Sequence, residues 1–126
     1  MAGSVDRIKT RGHGCWGRDL AADDDAHLAQ LGARCSAGYR TLLPLRDVGP
    51  SAPLDASVPE NSCVRFFVVG RSVRASLERG DGTVATTSAG PSDAVLPEQG
   101  PYCSAKGERL RLRTAGEARA LVLISP

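Results

Sequence analysis

The chain has 126 residues, 41% of them hydrophobic, and sixteen Lys/Arg against fourteen Asp/Glu leave a formal charge of +2. That composition excludes a disordered chain and fits one domain, or one domain with a tail. So even a charge balance gives no electrostatic case for nucleic acid, and no run of about 18 apolar residues exists to form a membrane span.

Residues 1–19 are polar and Gly-rich without periodicity, and read as a tail pinned by Cys15 and Trp16. The segment Asp23 to Cys35 reads as a helix. Its Asp residues suit the first turn, where unpaired N–H groups and the positive dipole end favour carboxylates. Leu28, Leu31 and Cys35 make one apolar stripe, and Gly38 is a stop signal. Residues 44–61 hold Pro44, Pro50, Pro53 and Pro59, which predict an extended connection. The domain border is placed there: 1–44 as tail and helical cap, 45–126 as a β domain. Tyr39 to Leu45 can add an edge strand.

From Cys63 the period changes. Cys63 to Val69 is β-branched and aromatic, hence a strand. Ser72 to Arg79 alternates, with Val73, Ala75 and Leu77 inward. Gly80-Asp81-Gly82 is a hairpin turn, and Thr83 to Ser88 is the return strand. Ala89 to Ser92 reads as a loop and Ala94 to Leu96 as a short strand. Arg109 to Arg113 alternates strictly, and Ala120 to Ile124 is a buried closing strand. Short strands with turn signals about every ten residues predict a mainly β fold: an antiparallel, jelly-roll-like β-sandwich with one N-terminal helix at an end or edge.

Four cysteines, Cys15, Cys35, Cys63 and Cys103, stand far apart. Zinc sites bring ligands in tight local pairs, and no such pair is present. The reading is two disulfides and an oxidising compartment, ahead of four buried free thiols. Three connectivities are open. Cys15–Cys35 with Cys63–Cys103 is preferred, because each bridge then stays within one half of the chain; such loops stabilise by about 3 and 4 kcal/mol. Met1 to Lys9 carries no apolar h-region. The expectation is therefore a mature secreted or periplasmic fragment with an added initiator Met.

The hairpin Val73 to Ala85 and the strand Gly107 to Arg113 resemble secreted bacterial β-sandwich modules of the pre-peptidase C-terminal type. The resemblance spans about residues 57–125. It implies an accessory, non-catalytic, extracytoplasmic domain. Arg71 and Arg74 stand where such modules often carry acidic residues, so no calcium site is expected.

Candidate chemistry is sparse. Asp23-Asp24-Asp25 with His27 offers metal-ligand types. Consecutive helical residues diverge, so a charged helix start with a surface His is preferred. His13 beside Cys15 has no fixed geometry for an activated thiolate. No G-x-S-x-G and no phosphate-cradling loop are present. Arg109, Arg111 and Arg113 must share one sheet face, with Arg74 and Arg119 placed nearby. The plainer reading is a solvated face that discourages edge pairing. The sharper one is a site for a carboxylate- or phosphate-bearing polymer, since Arg binds both bidentately. No aromatic residue interleaves the row, which disfavours single-stranded nucleic acid. The expectation is a non-enzymatic accessory module without cofactor, binding a protein partner or an anionic polysaccharide through these five arginines. The alternative is a small metal-dependent hydrolase built on His27.

Overall fold

The computed structural model describes residues 24–126. One helix, α1 (Asp24–Cys35), precedes nine strands: β1 (Arg40–Val48), β2 (Leu54–Val58), β3 (Ser62–Gly70), β4 (Val73–Arg79), β5 (Val84–Gly90), β6 (Asp93–Leu96), β7 (Tyr102–Ser104), β8 (Glu108–Thr114) and β9 (Ala118–Ile124). Asp24 and Asp25 lie in the first turn of α1 and Arg34 in its last, each beside the dipole end it complements. Gly38 follows at φ 85°, where a Cβ would be strained. The β4–β5 hairpin turns as its sequence demands. Gly82 sits at φ 89°, and Asp81 Oδ1 accepts from the Thr83 N–H at 2.9 Å and the Thr83 hydroxyl at 2.6 Å.

Every strand pair is antiparallel. Sheet I runs β1-β9-β3-β6, and sheet II runs β2-β8-β4-β5. The short β7 also pairs with β3, so β6 and β7 follow one another along the same edge of that strand. Alternation gives each strand one face toward the other sheet. Val64, Phe66, Val68, Ala120 and Val122 of sheet I meet Leu54, Ala56, Leu77, Leu110 and Leu112 of sheet II in one dry core.

A second core lies on the far side of sheet I. Leu28 and Leu31 of α1 pack on Phe67, Val69, Val95, Leu121 and Leu123. The helix therefore covers the open face of a sheet, rather than an end or edge as expected. That cover explains why β9 is apolar at successive positions: both of its faces are buried. The outer face of sheet II has no helix over it among the described residues.

The border at 44/45 falls inside β1, which pairs with β9 from Arg40 to Val48. Pro44 is tolerated because β1 is an edge strand, where no outer neighbour needs its missing N–H. Of the expected pair of disulfides, one is present among the described residues, Cys63–Cys103. It joins directly opposed positions of β3 and β7. Cys35 is not a free thiol; Cys15 lies outside the described residues, as do His13, Trp16 and Asp23. A disulfide fits an oxidising compartment. No helix among the described residues is long and apolar enough to cross a membrane.

Arg65 is the least expected core residue. It stands on the helix side of β3 and is 6% exposed. Its guanidinium donates to three main-chain carbonyls: Cys35 O at 2.9 Å, Pro97 O at 3.0 Å and Glu98 O at 2.7 Å. The first closes the C-terminal end of α1, whose last carbonyls lack helical partners. The others fasten the segment between β6 and β7. Burial lowers the pKa of Arg65 from the ordinary arginine value, while the nearby Tyr39 acts in the opposite sense.

Candidate functional site

The outward positions of sheet II bring four of the five predicted arginines together. Arg109, Arg111 and Arg113 project from β8, and Arg74 from β4, because the alternate positions Leu110, Leu112, Val73 and Ala75 fill the core. Arg119 is not among them. It lies on β9 of sheet I and faces the helix. Its Nε and Nη2 reach the two Asp25 carboxylate oxygens at 3.0 Å each, and Nη1 reaches Asp47 Oδ1 at 3.0 Å. Arg119 thus ties the start of α1 to its sheet. The carboxylates beside it raise its pKa further from the ordinary value.

Two of the four arginines have carboxylate neighbours. Arg111 holds Asp55 bidentately, Nε to Oδ1 at 2.7 Å and Nη2 to Oδ2 at 3.1 Å. Arg113 Nε donates to Glu78 Oε2 at 2.9 Å. These partners sit on the adjoining strands: Asp55 pairs with Arg111 across β2–β8, and Glu78 lies on β4. The two guanidinium side chains remain 43% and 47% exposed. Pairs this wet contribute little, so an incoming anion displaces them cheaply. Arg74 and Arg109 make no side-chain hydrogen bond or ion pair among the described residues.

The Arg111 hydrogen bond, more than any other influence, holds the Asp55 carboxyl below the usual aspartate range. A group depressed in the folded state adds stability above its unfolded pKa and loses it as pH falls through the folded value. The Asp55–Arg111 contribution is therefore present at neutral pH and vanishes only in strong acid. In Arg111→Gln the Asp55 carboxyl is expected to titrate at higher pH than in the parent, read by carboxyl-carbon NMR.

A groove runs across this face around Ser76. Ser76 is opposite Arg113 on one side and Thr87 on the other. Arg74, Ala89 and Ala115 complete its outer rim, and Ser88 and Glu98 line it from the β5 edge. The cavity measures about 740 Å³, within the size range of small-ligand sites. Ser88 Oγ donates to Glu98 Oε2 at 2.6 Å, and Ser88 is 6% exposed. Ser88 pairs with the core-facing Ala75, so the Glu98 carboxylate meets β5 on the inward side of its edge; Glu98 carries no signal in the sequence, because it follows β6 in a loop.

The expected surface His27 is instead buried. His27 Nε2 lies 2.9 Å from Asp93 Oδ2, and the two residues are 7% and 5% exposed. Asp93 opens β6 on the helix side of sheet I, so the pair joins α1 to that sheet beneath Leu28 and Leu31. His27 is buried whereas Asp24 is exposed, and Asp25 is held by Arg119. No group of three His, Cys, Asp or Glu side chains suited to a metal forms among the described residues.

The class of protein so defined is a two-sheet β domain with a helix over one face and a basic outer surface on the other. No protein-family model matches the chain, and the search of curated proteins gave no match.

Proposed function

We propose that the protein is a non-enzymatic, secreted or periplasmic binding module whose arginine face holds an anionic polysaccharide. One observation carries this reading. The outward charged positions of β2, β4 and β8 are four arginines, Arg74, Arg109, Arg111 and Arg113, against two carboxylates, Asp55 and Glu78. Guanidiniums in a row along a strand match repeating carboxylate or sulfate groups, each through paired N–H donors. The other outer face is covered by α1, which leaves this one for a partner.

The strand orders β1-β9-β3-β6 and β2-β8-β4-β5 support a jelly-roll sandwich, an architecture used by lectin domains. Fold alone assigns no ligand, so the weight rests on the arginines. The resemblance of residues 57–125 to accessory modules of the pre-peptidase C-terminal type agrees with a non-catalytic role, and the Cys63–Cys103 bridge agrees with export.

Chromatography on immobilised heparin tests the reading. The parent is expected to be retained and eluted by salt. The Arg109→Ser/Arg111→Ser/Arg113→Ser variant is expected to elute earlier, with the slope of log affinity against log salt reduced by about three, roughly one for each arginine replaced. Equal retention of a folded triple variant overturns the proposal.

A further inference from the structure

Among the described residues the two sheets end on four strands: β1 and β6 in sheet I, β2 and β5 in sheet II. An open edge offers a row of unpaired main-chain N–H and C=O groups, and soluble domains guard it with charge, proline or short length. Three of these edges are guarded. β1 carries Arg40, Pro44, Arg46 and Asp47. β2 has five residues, holds Asp55 and lies between Pro53 and Pro59. β6 has four residues and runs into Pro97. The edge of β5 is unguarded: its seven residues, Val84 to Gly90, include no charge and no proline. It also carries Val84, 54% exposed, the one exposed large apolar side chain among the described residues.

The pairing with β4 sets the face that each β5 side chain takes. Thr87 lies opposite Ser76 and Ala89 opposite Arg74, on the outward side. Thr86 lies opposite Leu77 and Ser88 opposite Ala75, on the core side. A bulge at Ala85 then brings Val84 opposite Glu78, outward again. The bulge sits at the hairpin end and leaves Thr86 to Gly90 regular. A second copy of β5, run antiparallel about Thr87, matches this pattern. Thr87 meets its own counterpart, Thr86 meets Ser88 of the second copy and, past the bulge, Val84 meets Ala89 of the second copy. Hydroxyl and apolar pairs both favour such cross-strand contacts, and no like charges oppose one another along the strand. A cavity of about 270 Å³ beside Ala89, Gly90 and Pro91 gives Val84 room.

We propose that β5 is a homodimer edge, across which two copies of the chain join antiparallel, sheet II to sheet II, into one eight-stranded sheet. The contact is isologous and closes on itself. One strand pair buries less than the roughly 1,200 Å² of a standard interface, so the dimer forms by mass action and dissociates on dilution. The two arginine faces then lie on one continuous surface, but the pairing does not depend on what that surface binds.

Sedimentation equilibrium of the full chain, over a concentration series into the millimolar range, tests the proposal. The mass is expected to rise from one chain to two and no further. Thr87 is exposed and outward, so Thr87→Lys leaves the core intact while setting two ammonium groups against each other at the dyad. This variant is expected to stay monomeric at every concentration with an unchanged circular dichroism spectrum. Thr87→Cys is expected to cross-link to its own counterpart on oxidation, read as a doubled mass without reductant, whereas Val84→Cys, which faces Ala89, is not. A parent that is monomeric throughout, a mass that climbs past two chains, a folded Thr87→Lys variant that still dimerises, or a Val84→Cys variant that cross-links to itself as readily as Thr87→Cys overturns the proposal.

Discussion

The Cys63→Ala/Cys103→Ala variant is expected to lose about 4 kcal/mol of stability, from the loop entropy released in the unfolded chain. The bridge spans 40 residues of sequence. That loop contains β4, β5 and β6, strands from both sheets, so the cross-link restrains two of the four strands of sheet II as well as its own edge. Among the described residues the short β7 pairs with no strand other than β3, and the bridge lies within that pairing. Urea unfolding followed by circular dichroism measures the effect, and the double variant is also expected to show a steeper denaturant slope, because its unfolded chain exposes more surface. Substitution is the cleaner experiment than reductant, since Cys35 is not a free thiol either. A loss under about 1 kcal/mol would mean that the unfolded loop is already compact.

Arg65→Met is expected to cost about 3 kcal/mol. The methionine fills much of the volume but leaves the carbonyls of Cys35, Pro97 and Glu98 without their donor. A buried polar group stripped of its partner costs about 1–3 kcal/mol, and partial access of water to Pro97 and Glu98 keeps the sum below three full penalties. Arg65→Lys is expected to recover little, because one ammonium on a flexible stem cannot present a planar fork to three separated acceptors. Hydrogen exchange should localise the damage to the last turn of α1. A domain of this size is stabilised by about 5–15 kcal/mol in total, so either variant removes a large share.

Much of the β architecture is legible in the sequence because strand period is a local property. Val73, Ala75 and Leu77 announce their inward face, and Asp81-Gly82 announces the turn. The arginine row of β8 follows from the same alternation. What does not show is everything that depends on partners distant in sequence. Asp55 and Glu78 come to the row from 56 and 35 residues away. Arg119 is the same residue type near the start of the next strand, but that strand belongs to the other sheet. Residues 89 and 90, expected in a loop, remain in β5 because β4 continues to offer them a register partner. Nothing near His27 in sequence foretells its burial, because Asp93 stands 66 residues on. One further signal is local: a lone arginine inside the apolar run Val64 to Val69 marks a buried charge that must find acceptors.

Glu98 is gripped twice: Arg65 of sheet I holds its main-chain oxygen and Ser88 of sheet II holds its carboxylate. The same guanidinium also takes the Cys35 carbonyl at the end of α1, so a disturbance there is passed through one side chain to the edge of the far sheet.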